Sequence, residues 1–389
     1  MLKKDDSGNN CIVAALSNVR PHSNADRLQL ATVLGNTVIV GLDAKDGDIV
    51  LYFDSNLRLS HEYLHYNNLY SSAELNVDPT QKGYFGKNGR VRAQKFRGEI
   101  SNGYVADILS LRHLTEVSKL GLIVGDEFTH LDGAKVCEKY IIPVKNRQGT
   151  PRKPVSSMFH KHWDTKQLMR ELDSIPVGAT CYIEEKIHGT SGRTGNVLCD
   201  TNRGWKFWKP KQEWKVISGT RRVDQISFHL PEIRQEIERK VASHLHKGEE
   251  IYYEIYGYDG GKHIQAGFPY DCRVGEWEAM LYRVTITTPD GFCIDLDREQ
   301  VYARAEELGL EKPHSFGVWS HKNNLAIDTA KWYVDGKSTL DAGTLREGVV
   351  LWFKDRYNKW TCLKLKSQEF LISQSNNVDH GVADIEDSV

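Results

Sequence analysis

The sequence predicts an α+β protein, with a small β-barrel first and a mixed domain on antiparallel sheets after it. Three observations predict this. The first ~130 residues read as short strands between turn signals. A stretch over 141–156 crowds proline with positive charge. Beyond it, helical periodicity alternates with apolar runs of strand length.

The strands of the first part are expected at 11–16, 28–33, 37–41 and 48–53. Gly47-Asp48 supplies a turn before the run Ile49-Val50-Leu51-Tyr52-Phe53. Helical periodicity is weak in this part, and strands so spaced suggest a barrel. The stretch 141–156 holds Pro143, Lys145, Arg147, Gly149, Pro151, Arg152, Lys153 and Pro154, so no regular element fits. It reads as an interdomain linker; a basic surface loop within one domain would have the same composition. Further on, 164–172 reads as a helix with Asp164 as N-cap. A strand follows at 179–185. Ile233, Ile237 and Val241 give 230–246 a helical stripe. Strands are expected at 250–256, 278–286 and 348–353, and a helix at 298–308. From Ser375 the chain turns polar and acidic and reads as a loose tail. The expected domains are therefore 1–140, a linker over 141–156, 157–374, and a tail over 375–389.

Composition narrows the function classes. Hydrophobic residues make up 40% of the 389 and charged residues 26%, an ordinary globular balance that excludes disordered and fibrous chains. The net charge of −1 gives no overall attraction to nucleic acid, so any such surface must be local. The seven cysteines are odd in number and include no C-x-x-C pair. A disulfide framework or zinc site is not expected, and a reducing compartment fits. The N-terminus lacks an apolar run behind its lysines, and no stretch of about 18 apolar residues occurs. The expectation is a cytoplasmic protein with no membrane contact.

Chemistry concentrates in four places. In Glu184-Glu185-Lys186-Ile187-His188-Gly189-Thr190-Ser191 a lysine ends an apolar strand and a glycine follows three residues later. Glycine allows a tight turn or close approach to the backbone. A lysine there could act as a nucleophile, although a surface lysine at a strand end has the same pattern. Tyr253-Glu254-Ile255-Tyr256-Gly257 and Arg346-Glu347-Gly348-Val349-Val350-Leu351 each put a carboxylate beside apolar residues. Trp360-Thr361-Cys362-Leu363-Lys364-Leu365-Lys366 puts two lysines on one face of a strand. Charges so embedded are costly unless they are paired or serve a site.

The ordered set K-x-x-G, E-x-x-G, E-G-x-V and K-x-K, over roughly 155–370, resembles the covalent nucleotidyltransferase motifs of polynucleotide ligases and RNA capping enzymes. The run Glu185–Thr190 is similar to the E-K-I-H-G-T of nick-sealing RNA ligases of the second type. DNA ligases usually carry Asp where this chain has His188, and Arg where it has Ser191. The resemblance implies a ligase adenylation domain using ATP and Mg²⁺ or Mn²⁺. Lys186 would take AMP, and Ile187, His188 and Gly189 would belong to the nucleotide-binding turn. Glu185 would lie at the adenine edge, and His188 near the phosphates. Arg203, within Thr201-Asn202-Arg203, would position phosphate or sugar, and Tyr282 would stack on adenine. Glu254 would contact ribose or metal, Glu347 would hold metal, and Lys364 and Lys366 would contact the α-phosphate.

These roles agree with general physics. A lysine amine with its ordinary value of about 10.4 is unprotonated in only roughly one molecule in a few thousand at neutral pH. Nearby cations and desolvation raise that fraction. Positive groups also match the charge that builds on a transferred phosphoryl group. Two carboxylates suit a hard cation that keeps most of its waters.

The first part carries a second resemblance. His22-Ser23-Asn24-Ala25-Asp26-Arg27-Leu28 is similar to the H-P-N-A-D-x-L stretch of tRNA-binding OB domains, with Ser23 in place of proline. Phe96-Arg97-Gly98-Glu99-Ile100-Ser101-Asn102-Gly103 is similar to their L-R-G-x-x-S-x-G segment. An OB module before an adenylation domain resembles the fifth RNA ligase family. This implies RNA as partner, a tRNA or a nicked duplex among the options, with a monomer expected. Lys82, Lys87, Arg90, Arg92, Lys95 and Arg97, with Tyr84 and Phe96, would suit a phosphate-tracking groove. An exposed hairpin with solvated charges has the same composition.

Weaker signals stay open. Gly204-Trp205-Lys206-Phe207-Trp208-Lys209-Pro210-Lys211 could extend a nucleic-acid surface or form a half-buried strand with a basic outer face. His160/His162 and His244/His246 form H-x-H pairs without a completing cluster, so structural histidines are the expectation. A capping enzyme or DNA ligase would share Lys186 but normally carries a second OB domain after K-x-K. Only 23 residues follow Lys366 here. An NAD-dependent ligase would need a nicotinamide module, which the first 140 residues do not resemble. The non-enzyme alternative is an RNA-binding OB protein with a degenerate ligase domain.

Overall fold

A computed structural model describes residues 1–5, 8–116, 120–142, 156–163, 165–201, 211–221, 223 and 230–382. The chain forms two compact units. One comprises Met1–Ile142 with Gln368–Gly381; the other runs through Ser367. Positions 143–155 of the expected linker lie outside the described residues.

The first unit is built of short antiparallel strands. Tyr104–Asp107, Ile49–Phe53, Cys11–Ala15 and Glu127–Phe128 form one sheet, and Ser17–Pro21, Gln29–Val33 and Asn36–Val40 another. All four strands expected here form, within a residue of their expected limits. Among the described residues they do not close into one barrel. The sheets part at Leu16: Asn18 adopts φ 51°, and the register of Ser17–Pro21 against Gln29–Val33 shifts at that point. A bulge with a left-handed residue bends a strand away from its former neighbours. Helix His61–Tyr66, capped by the Ser60 side chain, has only six residues, too few to register as a period.

The start of the expected tail, 375–379, is also corrected, and positions 383–389 lie outside the described residues. Gln368–Asp379 is helical and belongs to the first unit. Phe370 and Leu371 are buried, and Ser375 and Asp379 receive the guanidinium of buried Arg90. The apolar residues supply the burial that a purely polar tail could not.

The second unit contains two sheets. In chain order its elements are β1 (Thr180–Lys186), β2 (Thr190–Asp200), β3 (Gln212–Thr220), α1 (Pro231–Val241), β4 (Glu249–Asp259), β5 (Trp277–Thr287), α2 (Arg298–Leu308), β6 (Ser315–Ser320), α3 (Leu325–Val334), β7 (Gly348–Lys354) and β8 (Trp360–Lys366). One sheet runs β8-β7-β1-β6, with the short strand Lys166–Gln167 beside β8. The other runs β3-β2-β4-β5 and ends at Cys293–Asp295. The described pairs are antiparallel except Lys166–Gln167 with β8. That pairing replaces the helix expected over 164–172. Strand formation at Lys166–Gln167 engages backbone a helix would need, and only 3₁₀ turns follow at Leu168–Arg170 and Leu172–Ser174. The expected N-cap, Asp164, lies outside the described residues.

Sequence pattern explains the cores. Helix α1 starts at Pro231, which needs no intrahelical N–H partner there, and buries Ile233, Ile237 and Val241 at helical spacing. Helix α2 has a capping box between Asp297 and Gln300 and ends at Gly309 with φ 62°. These two helices bury Ile251, Tyr253, Ile255, Leu281 and Val284 on one face of the second sheet. Helix α3 buries Ala326, Ile327 and Ala330 against Cys181, Ile183, Val349, Leu351, Leu363 and Leu365 of the first. Alternation then sends Glu184, Lys186, Val350, Lys364 and Lys366 to the other face of that sheet.

Candidate active site

Strand β1 carries two adjacent carboxylates, one on each face. Glu184 is fully buried and accepts two hydrogen bonds from Arg298, Nε at 2.8 Å and Nη2 at 2.7 Å. Glu185 accepts from the Thr339 backbone N–H at 2.9 Å and from its hydroxyl, with Arg346 Nε 3.9 Å away. The carboxylate of Glu185 therefore lies on the face opposite Lys186. Its other oxygen is buried and has no hydrogen-bond partner among the described residues.

Three strands bring the motifs together. Lys186 pairs with Gly348, and Gly348 pairs with Lys366, so two lysines distant in sequence flank the residue after Glu347. Lys186 Nζ donates to Glu347 Oε2 at 2.9 Å, and Lys366 Nζ lies 3.1 Å from Oε1. His188 Nδ1 is 3.7 Å from the same carboxylate. Gly348 is required by packing: a Cβ there would meet the Leu365 carbonyl oxygen at 2.1 Å.

Burial would raise the Glu347 carboxyl, but Lys186, Lys366 and His188 outweigh it and hold it at about 2. Lys364 is lowered to about 8 by burial first, then by Lys366, Lys186 and Arg221. His162 is held well below its ordinary value by burial and by Arg283, Arg221 and Lys186. Arg221 is thus part of a cationic cluster that the sequence motifs do not include.

Residues 187–189 lead from β1 in one sheet to β2 in the other. Gly189 does not need a left-handed backbone; a Cβ there would meet the Ile255 carbonyl oxygen at 2.2 Å. Its N–H donates to Glu254 Oε1 at 3.1 Å, and the Ser191 hydroxyl donates to Oε2 at 3.0 Å. Ile187 is buried, and the His188 ring meets Phe268 edge-on at 4.9 Å. Tyr282 sits where the β4–β5 register shifts, with its ring 5.2 Å from His162. Arg203 and positions 204–210 of the aromatic-lysine segment lie outside the described residues.

Sequence reasoning missed the residues that hold this turn. Gln265 Nε2 donates to the Gly189 carbonyl at 2.8 Å, and the His188 N–H donates to the Tyr270 hydroxyl at 2.8 Å. Buried Arg234 donates to the Ser191 carbonyl at 2.9 Å. Arg298 and Arg346 had a signal: two neighbouring glutamates in an apolar strand each need a cation.

Glu254 and Glu347 offer only oxygen donors, which suits Mg²⁺ or Mn²⁺. Among the described residues no group of three or more His, Cys, Asp or Glu side chains gathers as a metal site. His160 has its N–H on Glu250, and His162 packs against Trp163. His246 donates its backbone N–H to Glu249.

In the first unit, the segments 22–28 and 96–103 meet. His22 Nε2 is 3.2 Å from the Phe96 carbonyl oxygen, and Asn24 Nδ2 donates to the Arg97 carbonyl at 3.0 Å. Of the basic stretch, Arg90 is buried against Asp379, Arg92 lies 3.7 Å from Asp379, and Lys95 3.8 Å from Glu369. Tyr84 is exposed.

No protein-family model and no curated protein matches the sequence. The fold is similar to that of Naegleria gruberi RNA ligase with PPi, at TM-score 0.63 and 17% identity over 94% of this chain and 98% of that one. An apo mutant of that ligase matches at TM-score 0.65 and 15% identity, over 95% and 99%. A mutant with ATP and Mn matches at 0.60 and 16%, over 97% and 99%. At these identities the likeness is one of fold.

Proposed function

We propose that this protein is an ATP-dependent RNA ligase that joins a 3′-hydroxyl RNA end to a 5′-phosphate end through AMP carried on Lys186. The observation that supports this most is the buried Glu347 carboxylate held between Lys186 and Lys366, in one cross-strand row with Gly348. The fold likeness to an RNA ligase over nearly the whole of both chains supports it as well.

In the first step the Lys186 amine, having lost its proton, attacks the α-phosphorus of ATP. A P–N bond forms, the bond to the β-phosphate oxygen breaks, and pyrophosphate leaves. An oxygen of an RNA 5′-phosphate then attacks the same phosphorus and frees the lysine. Finally the 3′-hydroxyl attacks the 5′-phosphate, and AMP leaves. Lys364 and Lys366 offset the negative charge that builds on the phosphoryl oxygens. Glu254 and Glu347 would hold Mg²⁺ or Mn²⁺, which supplies further charge neutralisation when bound. The OB-like segments of the first unit would take RNA.

Incubation with Mg²⁺ and α-labelled ATP or GTP tests the reading. Label from ATP that survives denaturation, and its loss in Lys186→Ala, is the expected result. Label from GTP alone would replace ligation with capping chemistry. Sealing of all-DNA nicks as fast as RNA nicks would count against RNA as the substrate.

A further inference from the structure

The turn from Ile187 to Gly189 leaves one sheet and enters another, so neither ladder covers its peptide groups. Side chains cover them instead. Glu254 accepts the Gly189 N–H, Tyr270 accepts the His188 N–H, and Gln265 donates to the Gly189 carbonyl. Gln265 and Tyr270 lie in the connection between β4 and β5, and each is only 3% exposed. The chain turns sharply there: Tyr270 has φ 51° and Asp271 φ 64°. The Tyr270 ring is wedged between Tyr256, at 5.4 Å, and Phe268, at 6.0 Å. Phe268 in turn packs on the His188 ring.

We propose that Gln265 and Tyr270 are positioning residues for nucleotidyl transfer, a clamp that fixes the turn and with it the aim of Lys186. The proposal rests on Lys186 being the nucleophile. Both clamp bonds act on backbone groups two and three residues beyond Lys186. Losing either removes a hydrogen bond from a buried peptide group of the turn and lets the turn shift. A displacement near 1 Å can slow a positioned reaction about a hundredfold. The clamp acts on the transfer step, so nucleotide affinity should change little.

The test compares wild type, Tyr270→Phe and Gln265→Met in single-turnover formation of the lysine adduct across ATP concentrations, with melting curves for each. Tyr270→Phe removes one oxygen and keeps the ring packing. The expected result is a rate constant lower by about tenfold to a hundredfold, with half-saturating ATP within about threefold of wild type. Unchanged rate constants in folded variants would overturn the clamp and leave the ligase reading standing. A weaker ATP affinity at an unchanged rate constant would also overturn it. A slower rate matched by loss of folded protein would reduce both residues to structural ones. If wild type forms no adduct, the ligase reading and the clamp fall together.

Discussion

Replacing Glu347 by Gln removes the charge between Lys186 and Lys366 while keeping the shape. In the wild type the carboxyl is held at about 2 against the usual 4.5. At about 1.4 kcal/mol per pH unit, that interval corresponds to roughly 3 kcal/mol. The sign follows from linkage. The folded value is depressed, so this stability is present above 4.5 and is lost as pH falls toward about 2. By pH 3.5 the unfolded chain holds its proton and the folded one does not, which costs about 1.4 kcal/mol relative to pH 7. The Gln variant has no such group. Urea unfolding of both proteins between pH 7 and 3.5 isolates the effect as a difference, since the other carboxylates are common to both. The gap between them should narrow by about 1.4 kcal/mol over that range. A gap that stays constant would refute the ion cluster. The variant should also lose adduct formation from ATP, and wild-type charging would refute the role of Glu347 in the site.

Three other outcomes are expected. Gly189→Ala puts a Cβ 2.2 Å from the Ile255 carbonyl oxygen, so it should lower the melting temperature and abolish adduct formation. Lys364 is depressed to about 8 from 10.5, so folding favours its neutral form and its burden on stability eases as pH rises from 8 to 10.5. Lys364→Met should therefore melt higher at pH 7 with an advantage that shrinks toward pH 10, while adduct formation falls; a lower melting temperature at pH 7 would contradict this. Arg298→Met leaves the buried charge of Glu184 without its cation and should cost about 3–5 kcal/mol in urea unfolding, with part recovered in the double variant with Glu184→Gln.

Much of the second unit was legible because its signals are local. The stripe Ile233, Ile237, Val241 marks α1, and the helix expected over 298–308 forms as α2 with those limits. The K-x-K strand puts both lysines on one face by alternation alone. Helix α3 and the helix Gln368–Asp379 were not legible. Asn324 opens α3 in a left-handed conformation without a side-chain cap, and the second helix looks like a polar tail until Arg90 and the apolar pair Phe370-Leu371 are seen to hold it. The closed barrel expected in the first unit is not found among the described residues, for a similar reason. Its strands were visible, but the break at Leu16–Asn18 depends on which strand lies beside which.

Pairing across strands is also what turns four weak motifs into one site. Glycine at 189 suggests room for a turn or ligand, yet it is the Ile255 carbonyl of β4 that excludes a side chain. Gly348 does the same between β7 and β8, against Leu365. Each glycine lets a backbone approach that brings its neighbouring carboxylate into place: Glu254 onto the Gly189 N–H, Glu347 between the two lysines. Spacing along the chain records which residues are needed but not these contacts. The same logic applies to Glu184 and Glu185. Adjacent in sequence, they face apart, and each is met by an arginine from a different element, Arg298 at the start of α2 and Arg346 just before β7. With its two flanking carboxylates engaged on opposite faces, the end of β1 has little freedom to rotate, and Lys186 is delivered to Glu347 by a strand anchored on both sides.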